Sequence, residues 1–131
     1  MPSPTLETDG WTLDDGEELH AQAPASFRIP PRGARETLRP GDLAKLVFRI
    51  MIDDDEEPIA VERMWVIVRE RIDGGYFGLL DNEPYALAEN ERLWPGTELP
   101  FEPRHVIDIQ TGDTKSIDLT AAPPRTFWPR N

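Results

Sequence analysis

The clearest pattern in the chain is an alternation of apolar and polar residues in two runs joined by Asp73-Gly74-Gly75. Because successive side chains of a strand point to opposite faces, Met64, Val66 and Val68 share one face. The other face of the same strand carries a second set: Trp65, Ile67 and Arg69. Asp-Gly-Gly supplies the positive φ angles that a tight hairpin turn requires. The sequence therefore predicts a long β-hairpin with Met64, Val66 and Val68 facing the core, or, if the register is shifted by one residue, with Trp65, Ile67 and Arg69 facing it.

The second strand of this hairpin contains Gly78, which indicates a bulge or a close approach by another backbone. Asp81 and Asn82 follow, and the Glu83-Pro84 pair after them is typical of a turn. We therefore expect the second strand to end near Asp81.

A further strand is predicted upstream, from Leu43 to Ile52. Its inward set is wholly apolar (Ala44, Leu46, Phe48, Ile50 and Ile52), whereas Lys45 and Arg49 mark the outer face. Five consecutive acidic residues, Asp53 to Glu57, come next. Such a run repels itself, which predicts a solvated loop rather than a calcium site, since the ligand spacing and central glycine of an EF-hand are missing.

Shorter elements are predicted in the rest of the chain. Residues 32–38 favour a short helix ended by Pro40 and Gly41, and residues 85–92 favour a helical turn or a long loop. Strands are predicted at residues 97–101, where Pro100 indicates an edge position, and at residues 104–109. Ile117 and Leu119 suggest a last strand.

Short strands, Gly/Pro turns and little helix predict a mainly β fold. The expected architecture is a small, strongly bent antiparallel barrel, with an SH3-like barrel as the first choice and an OB-like barrel as the second.

The acidic segment 1–25 carries no Lys or Arg and is predicted to be a flexible arm, with Trp11 as the one anchor that could dock. Residues 26–110 are predicted to form the single β-barrel domain with one short helix, and residues 111–131 a flexible Pro-rich tail.

Composition narrows the functional classes. The 131 residues include no cysteine and carry a net charge of −11. This charge opposes binding to nucleic acid phosphates or to an anionic membrane, and it favours solubility and a basic protein partner. No signal peptide and no apolar run of membrane-spanning length is visible, so we expect a cytoplasmic protein.

Candidate chemistry is sparse. His20 and His105 are the only histidines, and no catalytic triad, phosphate loop or zinc-ligand set is present. We therefore predict no enzyme activity, no metal and no cofactor. The alternative is a small enzyme in which Glu62, Asp81 and Glu83 cluster at the hairpin ends, since a carboxylate pair suits acid–base work when its pKa values are separated.

If the barrel binds a partner, the hairpin offers the contact residues. Aromatic anchors dominate interface energetics. Trp65 is either such an anchor or a core residue, and Asn82 is expected to satisfy backbone groups in its turn. The predicted partner-binding residues are Trp65, Tyr76, Asp81 and Asn82. Self-association through an exposed sheet edge is a further alternative.

Several blocks, in this order, resemble a known family. Glu62-Arg63-Met64-Trp65-Val66 and the Leu-Asp-Asn-x-Pro block from Leu80 to Pro84 are the most specific, preceded by residues 41–48 and followed by residues 96–101 and 105–107. Together they are similar to bacterial domains of unknown function of the YegJ-like type, which resemble proposed immunity proteins of polymorphic-toxin systems. The resemblance covers about Phe27 to Ile109, and the family usually has a shorter link at residues 53–59. It implies a binding domain of the immunity type.

Overall fold

The computed structural model describes residues 3–81 and 93–130 and shows a mainly β fold. Within these residues, antiparallel strands form one six-stranded sheet curled into a half-barrel, ordered β1-β2-β3-β4-β5 with β6 also pairing with β2. The strands are β1 (Trp11–Leu13), β2 (Leu43–Met51), β3 (Ile59–Ile72), β4 (Gly75–Leu80), β5 (Glu98–Phe101) and β6 (Asp108–Gln110). The predicted fold class is confirmed.

Helices are more numerous than the single one predicted. The described part of the chain contains α1 (Leu6–Asp9), α2 (Gly16–Gln22), α3 (Arg32–Arg35), α4 (Thr114–Ala121) and a 3₁₀ turn, Pro103–His105. Only α3 corresponds to the predicted helix, because the other helices lie in segments that the sequence assigned to the flexible ends or to a strand.

The β3–β4 hairpin is present as predicted. The two strands join through Asp73 and Gly74, and Gly74 has a φ of 78°. Val66 and Val68 are fully buried, and Met64 is buried with them. The alternation therefore identified the face of β3 that points into the half-barrel.

Strand β2 supplies the other wall of the core. Its predicted inward residues Ala44, Leu46, Phe48 and Ile50 are each 0% exposed, and Ile52 packs against the same cluster. Strand β2 pairs with β3 along its whole length. The two longest strands therefore build the centre of the sheet.

Gly78 marks a close approach, and the bulge lies opposite it. A Cβ atom at Gly78 would stand 3.0 Å from the Phe101 ring and 3.1 Å from the Ile67 carbonyl oxygen. The pairing between β3 and β4 shifts between Val68 and Glu70, so Arg69 is the extra residue. The bulge directs Arg69 toward β5, where it meets Glu98.

The prediction of a flexible arm at residues 1–25 is wrong for the described residues 3–25. Strand β1 pairs with β2, and Trp11 is 2% exposed, with its ring centroid 5.7 Å from that of Phe48. Two acidic residues of this segment form ion pairs with arginines of the sheet and of the 3₁₀ turn. Asp14 lies 2.5 Å from Arg49, and Asp15 lies 3.0 Å from Arg104. The arm is therefore part of the domain.

The prediction for residues 111–131 is also wrong where the structure describes them. The expected last strand is helix α4, which begins with a capping box between Asp113 and Ser116. Ile117 and Leu119 are 53% and 41% exposed, so neither is a core residue. Beyond α4, Thr126 pairs with Thr97 beside β5. Domain boundaries at 26 and 110 are therefore not supported.

The strand predicted over residues 104–109 is replaced by a 3₁₀ turn and the short β6. Pro103 occupies the first position of the turn, where its fixed φ is favourable. The His105 Nδ1 accepts a hydrogen bond from the Glu102 N–H at 2.9 Å and stabilises the turn. The strand predicted at residues 97–101 is confirmed as β5. Residues 85–92 lie outside the described part of the chain.

Candidate functional site

Tyr76 is a core residue and does not lie at a contact surface. It is 1% exposed, and its ring stacks on Phe101 with centroids 5.1 Å apart. The hydroxyl donates to the Arg35 carbonyl oxygen at 2.7 Å and accepts from the Leu38 N–H at 3.2 Å. A partner could reach Tyr76 only by opening the core, so its placement contradicts the predicted partner-binding role.

Trp65 lies on the outer face of β3 in cationic surroundings. It is half-buried, and the Nζ of Lys45 on the adjacent strand is 5.5 Å from the centroid of its ring. Arg63 occupies the same face two residues earlier, and its guanidinium carbon lies 5.3 Å from the centroid of the Phe27 ring. Because these cations would repel a basic partner, the position of Trp65 does not favour it as the anchor for such a partner.

The carboxylates proposed for catalysis do not form a close pair among the described residues. The Asp81 N–H donates to the Trp65 carbonyl oxygen at 3.0 Å, so Asp81 lies beside Trp65. Glu62 is three residues from Trp65 along β3, which corresponds to about 10 Å between the two residues. Partial desolvation raises the pKa of Asp81, with Asp113 acting in the same direction and Lys115 opposing it. Asn82 and Glu83 lie outside the described residues.

His105 is buried and serves the 3₁₀ turn. Burial, together with the charge of Arg104, lowers its pKa to about 4, so the ring is neutral at pH 7. Since Nδ1 accepts from the Glu102 N–H, the proton of the neutral ring lies on Nε2. His105 lines a cavity of about 220 Å³ next to Gly74 and Gly75. Across residues 3–81 and 93–130, no group of three or more His, Asp or Glu side chains is placed to hold a metal ion.

A wider groove of about 660 Å³ is also lined by Gly74 and Gly75. Its charged side chains other than Arg71 form ion pairs. Arg104 pairs with Glu102 at 3.1 Å, and Arg32 pairs with Glu36 at 3.2 Å. Glu17 pairs with the buried Arg35 at 2.7 Å. These contacts hold the loops of the domain together, and they leave Arg71 as the one lining charge without an ion pair among the described residues.

The end of the β2–β3 hairpin combines exposed apolar and acidic residues. Residues 53–57 are all exposed, and Met51 and Val61 beside them are 45% and 54% exposed. Met51 lies opposite Ile59, and Val61 lies opposite Arg49, which places Met51 and Val61 on one face of the hairpin. We call residues 53–57 with Met51 and Val61 the acidic tip.

The carboxylates of the acidic tip have no ion-pair partner among the described residues. Asp54 accepts hydrogen bonds from the Glu56 and Glu57 N–H groups at 2.9 and 3.1 Å and fixes the turn. The tip therefore presents concentrated negative charge beside an apolar surface.

A second acidic feature is the buried carboxylate of Glu98 on β5. Its side chain is 0% exposed and accepts hydrogen bonds from Arg69 at 3.0 Å and from the Trp128 N–H at 3.1 Å. Arg130 binds both carboxylate oxygens, and its Nη2 lies 2.9 Å from Oε2. The Arg130 guanidinium also lies 3.8 Å from the centroid of the Phe77 ring.

The electrostatics of this cluster follow from its composition. Burial alone would raise the pKa of Glu98, but the hydrogen bonds from Arg130 and Trp128 and the charges of Arg130 and Arg69 outweigh it and lower the pKa. The hydrogen bonds from Arg130 to Glu98 raise the pKa of Arg130 despite its partial burial. Glu98 is therefore ionised and held by two guanidinium groups. Nothing in the alternation pattern of β5 distinguished it from an ordinary strand acid.

Comparison with protein-family models, with curated proteins and with solved structures finds no match to this chain. The resemblance to the YegJ-like family therefore stays a prediction. Among the described helices, none is both long and apolar enough to cross a bilayer.

Proposed function

We propose that this protein is a non-catalytic binding domain that engages a basic protein partner through the acidic tip. The observation that carries the proposal is the arrangement at the end of the β2–β3 hairpin, where unneutralised carboxylates adjoin the exposed Met51 and Val61. An apolar contact area bordered by charge is the usual composition of a protein interface.

The net charge of the whole molecule also favours a basic partner. A net charge of −11 attracts a basic partner over the Debye length, about 8–10 Å at moderate salt, and the tip then concentrates the attraction at one place. Charges at the edge of an interface act mainly on the association rate, whereas the apolar residues contribute to the lifetime of the complex. An immunity-type role against a basic toxin is a specific form of this proposal and rests on the resemblance alone.

Site-specific cross-linking identifies the partner and its place of binding. A photoreactive amino acid at position 61, introduced into the full chain in the cells that produce it, should capture the partner. Ile117 on α4 is the matched control position because its exposure, 53%, is close to the 54% of Val61. Equal capture at both positions would contradict binding at the tip.

Charge-neutralised variants then test the mechanism with the captured partner. The tip variant changes four acids and keeps Asp54, which fixes the turn. Its substitutions are Asp53→Asn, Asp55→Asn, Glu56→Gln and Glu57→Gln. A control variant removes the same charge elsewhere on the surface through Glu7→Gln, Glu18→Gln, Asp73→Asn and Asp118→Asn.

Association rates measured between 50 and 500 mM salt distinguish the two variants. We expect the tip variant to associate on the order of tenfold more slowly at low salt and to lose most of the salt dependence, with the control much closer to the parent. A complex whose association does not respond to salt, or equal effects of both variants, would refute the proposal.

A further inference from the structure

We propose that the outer edge of β5 is a second binding site, a receptor for an arginine carried on an extended segment of a basic protein. We call this surface the edge site and define it by Glu98, Phe77, Arg69 and the backbone of residues 96–98. Residues 125–130 of the same chain occupy it in this structure. The edge site does not include any residue of the acidic tip.

The occupying segment binds first through its backbone. The Arg125 N–H donates to the Gly96 carbonyl oxygen at 2.9 Å, and the Glu98 N–H donates to the Thr126 carbonyl oxygen at 2.9 Å. The segment thus adds a short parallel stretch to the sheet, as peptides do when they bind to an exposed strand edge. Pro100 has no N–H, so the edge offers few further donors beyond Glu98.

Beyond Thr126, the Glu98 side chain holds the segment. The bidentate geometry between Arg130 and Glu98 matches the planar fork of a guanidinium, and the contact with Phe77 adds a stacking surface. A lysine ammonium is a point charge that reproduces neither feature. The edge site is therefore built to select arginine.

Glu98 needs an arginine partner whenever the edge site is not occupied by Arg130. A buried carboxylate that loses a partner is strongly destabilising, and Arg69 would then be the one remaining cation on Glu98 within the described residues. Arg69 is itself incompletely satisfied, because its Nε is buried without a hydrogen-bond partner in that part of the chain. An arginine from another molecule would restore the pairing that Arg130 provides.

The present occupant is only partly buried. Phe127 is 62% exposed and the Arg130 side chain is 43% exposed, whereas Trp128 between them packs edge-on against Trp11, with ring centroids 5.8 Å apart. A tethered segment competes at an effective concentration in the millimolar range. A partner segment must therefore bring additional contacts, which the attraction between a basic protein and a chain of net charge −11 provides.

Peptide binding to the full chain tests the site. The variant Arg130→Gln keeps the segment but removes its guanidinium. The probe is a fluorescent peptide with the sequence of residues 125–130, compared with versions carrying lysine or citrulline in place of its last arginine. Fluorescence anisotropy should show saturable binding of the arginine peptide to Arg130→Gln, at least tenfold tighter than that of either analogue and tenfold tighter than binding to the parent.

Two further variants complete the experiment. Adding Glu98→Gln to Arg130→Gln should abolish the preference for arginine over citrulline, and urea unfolding checks that each variant is folded. The acidic-tip variant should bind the peptide as the parent does, so failure of one proposal leaves the other intact. No binding, or equal binding of the arginine and citrulline peptides, would mean that Arg130 and Glu98 form an internal clamp only. A concentration-dependent dimer of the parent that Arg130→Gln abolishes would assign the site to a second copy and overturn the proposal.

Discussion

Removing the hydroxyl of Tyr76 tests whether this residue holds the core together or contacts a partner. The substitution Tyr76→Phe keeps the ring and its stacking on Phe101, with centroids 5.1 Å apart. It deletes only the atom that bonds the Arg35 carbonyl oxygen and the Leu38 N–H. These two bonds tie the end of α3 and the chain just after it to β4.

The size of the effect follows from the two groups left behind. Both hydrogen bonds are buried, and a buried polar group without a partner costs about 1–3 kcal/mol. We expect Tyr76→Phe to lower the free energy of unfolding by about 2–6 kcal/mol, the sum for the two groups. With a urea m-value of roughly 2 kcal/mol per molar, the unfolding midpoint falls by about 1–3 M.

Urea unfolding followed by circular dichroism measures this shift. The control is Thr111→Val, which also removes a hydroxyl but at an exposed position, and it should stay within about 0.5 kcal/mol of the parent. An unchanged midpoint for Tyr76→Phe, together with weaker partner binding, would refute the structural role and restore Tyr76 as a contact residue.

Two other predictions concern the N-terminal segment and the buried histidine. Trp11→Ala should cost about 3–5 kcal/mol in urea unfolding, the range for truncating a large buried aromatic, and a loss below about 1 kcal/mol would mean that residues 3–13 do not belong to the domain. His105 has a pKa of about 4 when folded and an ordinary value of 6.5, so the unfolded chain takes up the proton first and stability falls as the pH drops through that window. Between pH 7 and pH 5 the parent should lose about 2 kcal/mol from this residue, and His105→Gln should lose correspondingly less.

The centre of the sheet could be predicted from the sequence because its pattern is local. The alternation of apolar and polar residues in β2 and β3 identified the two faces of each strand, and Asp73-Gly74 identified the turn. Both signals depend only on residues that are neighbours in the sequence. Helix α4 was missed because Ile117 and Leu119 imitate a strand's period of two. The capping box from Asp113 to Ser116 was the local signal that could have identified the helix.

Long-range charge contacts explain the remaining errors. An acidic N-terminal segment without Lys or Arg is typical of disorder, yet Asp14 and Asp15 find arginines far along the chain. Glu98 likewise looked like an ordinary strand acid, because its burial depends on Arg69 in a bulge and on Arg130 beyond α4. Composition shows how much charge a segment carries, but it does not show which residues neutralise it.

The separation between Glu98 and Arg130 also has a consequence for how the protein is made. The two residues are 32 positions apart, and ribosomes add about 5–20 residues per second. Arg130 is therefore synthesised about 2–6 s after Glu98, much longer than the microseconds in which a hairpin forms. Until Arg130 is in place, burial of Glu98 beside Arg69 alone is unfavourable. The outer edge of β5 is thus completed last, after the β2–β3–β4 centre has formed.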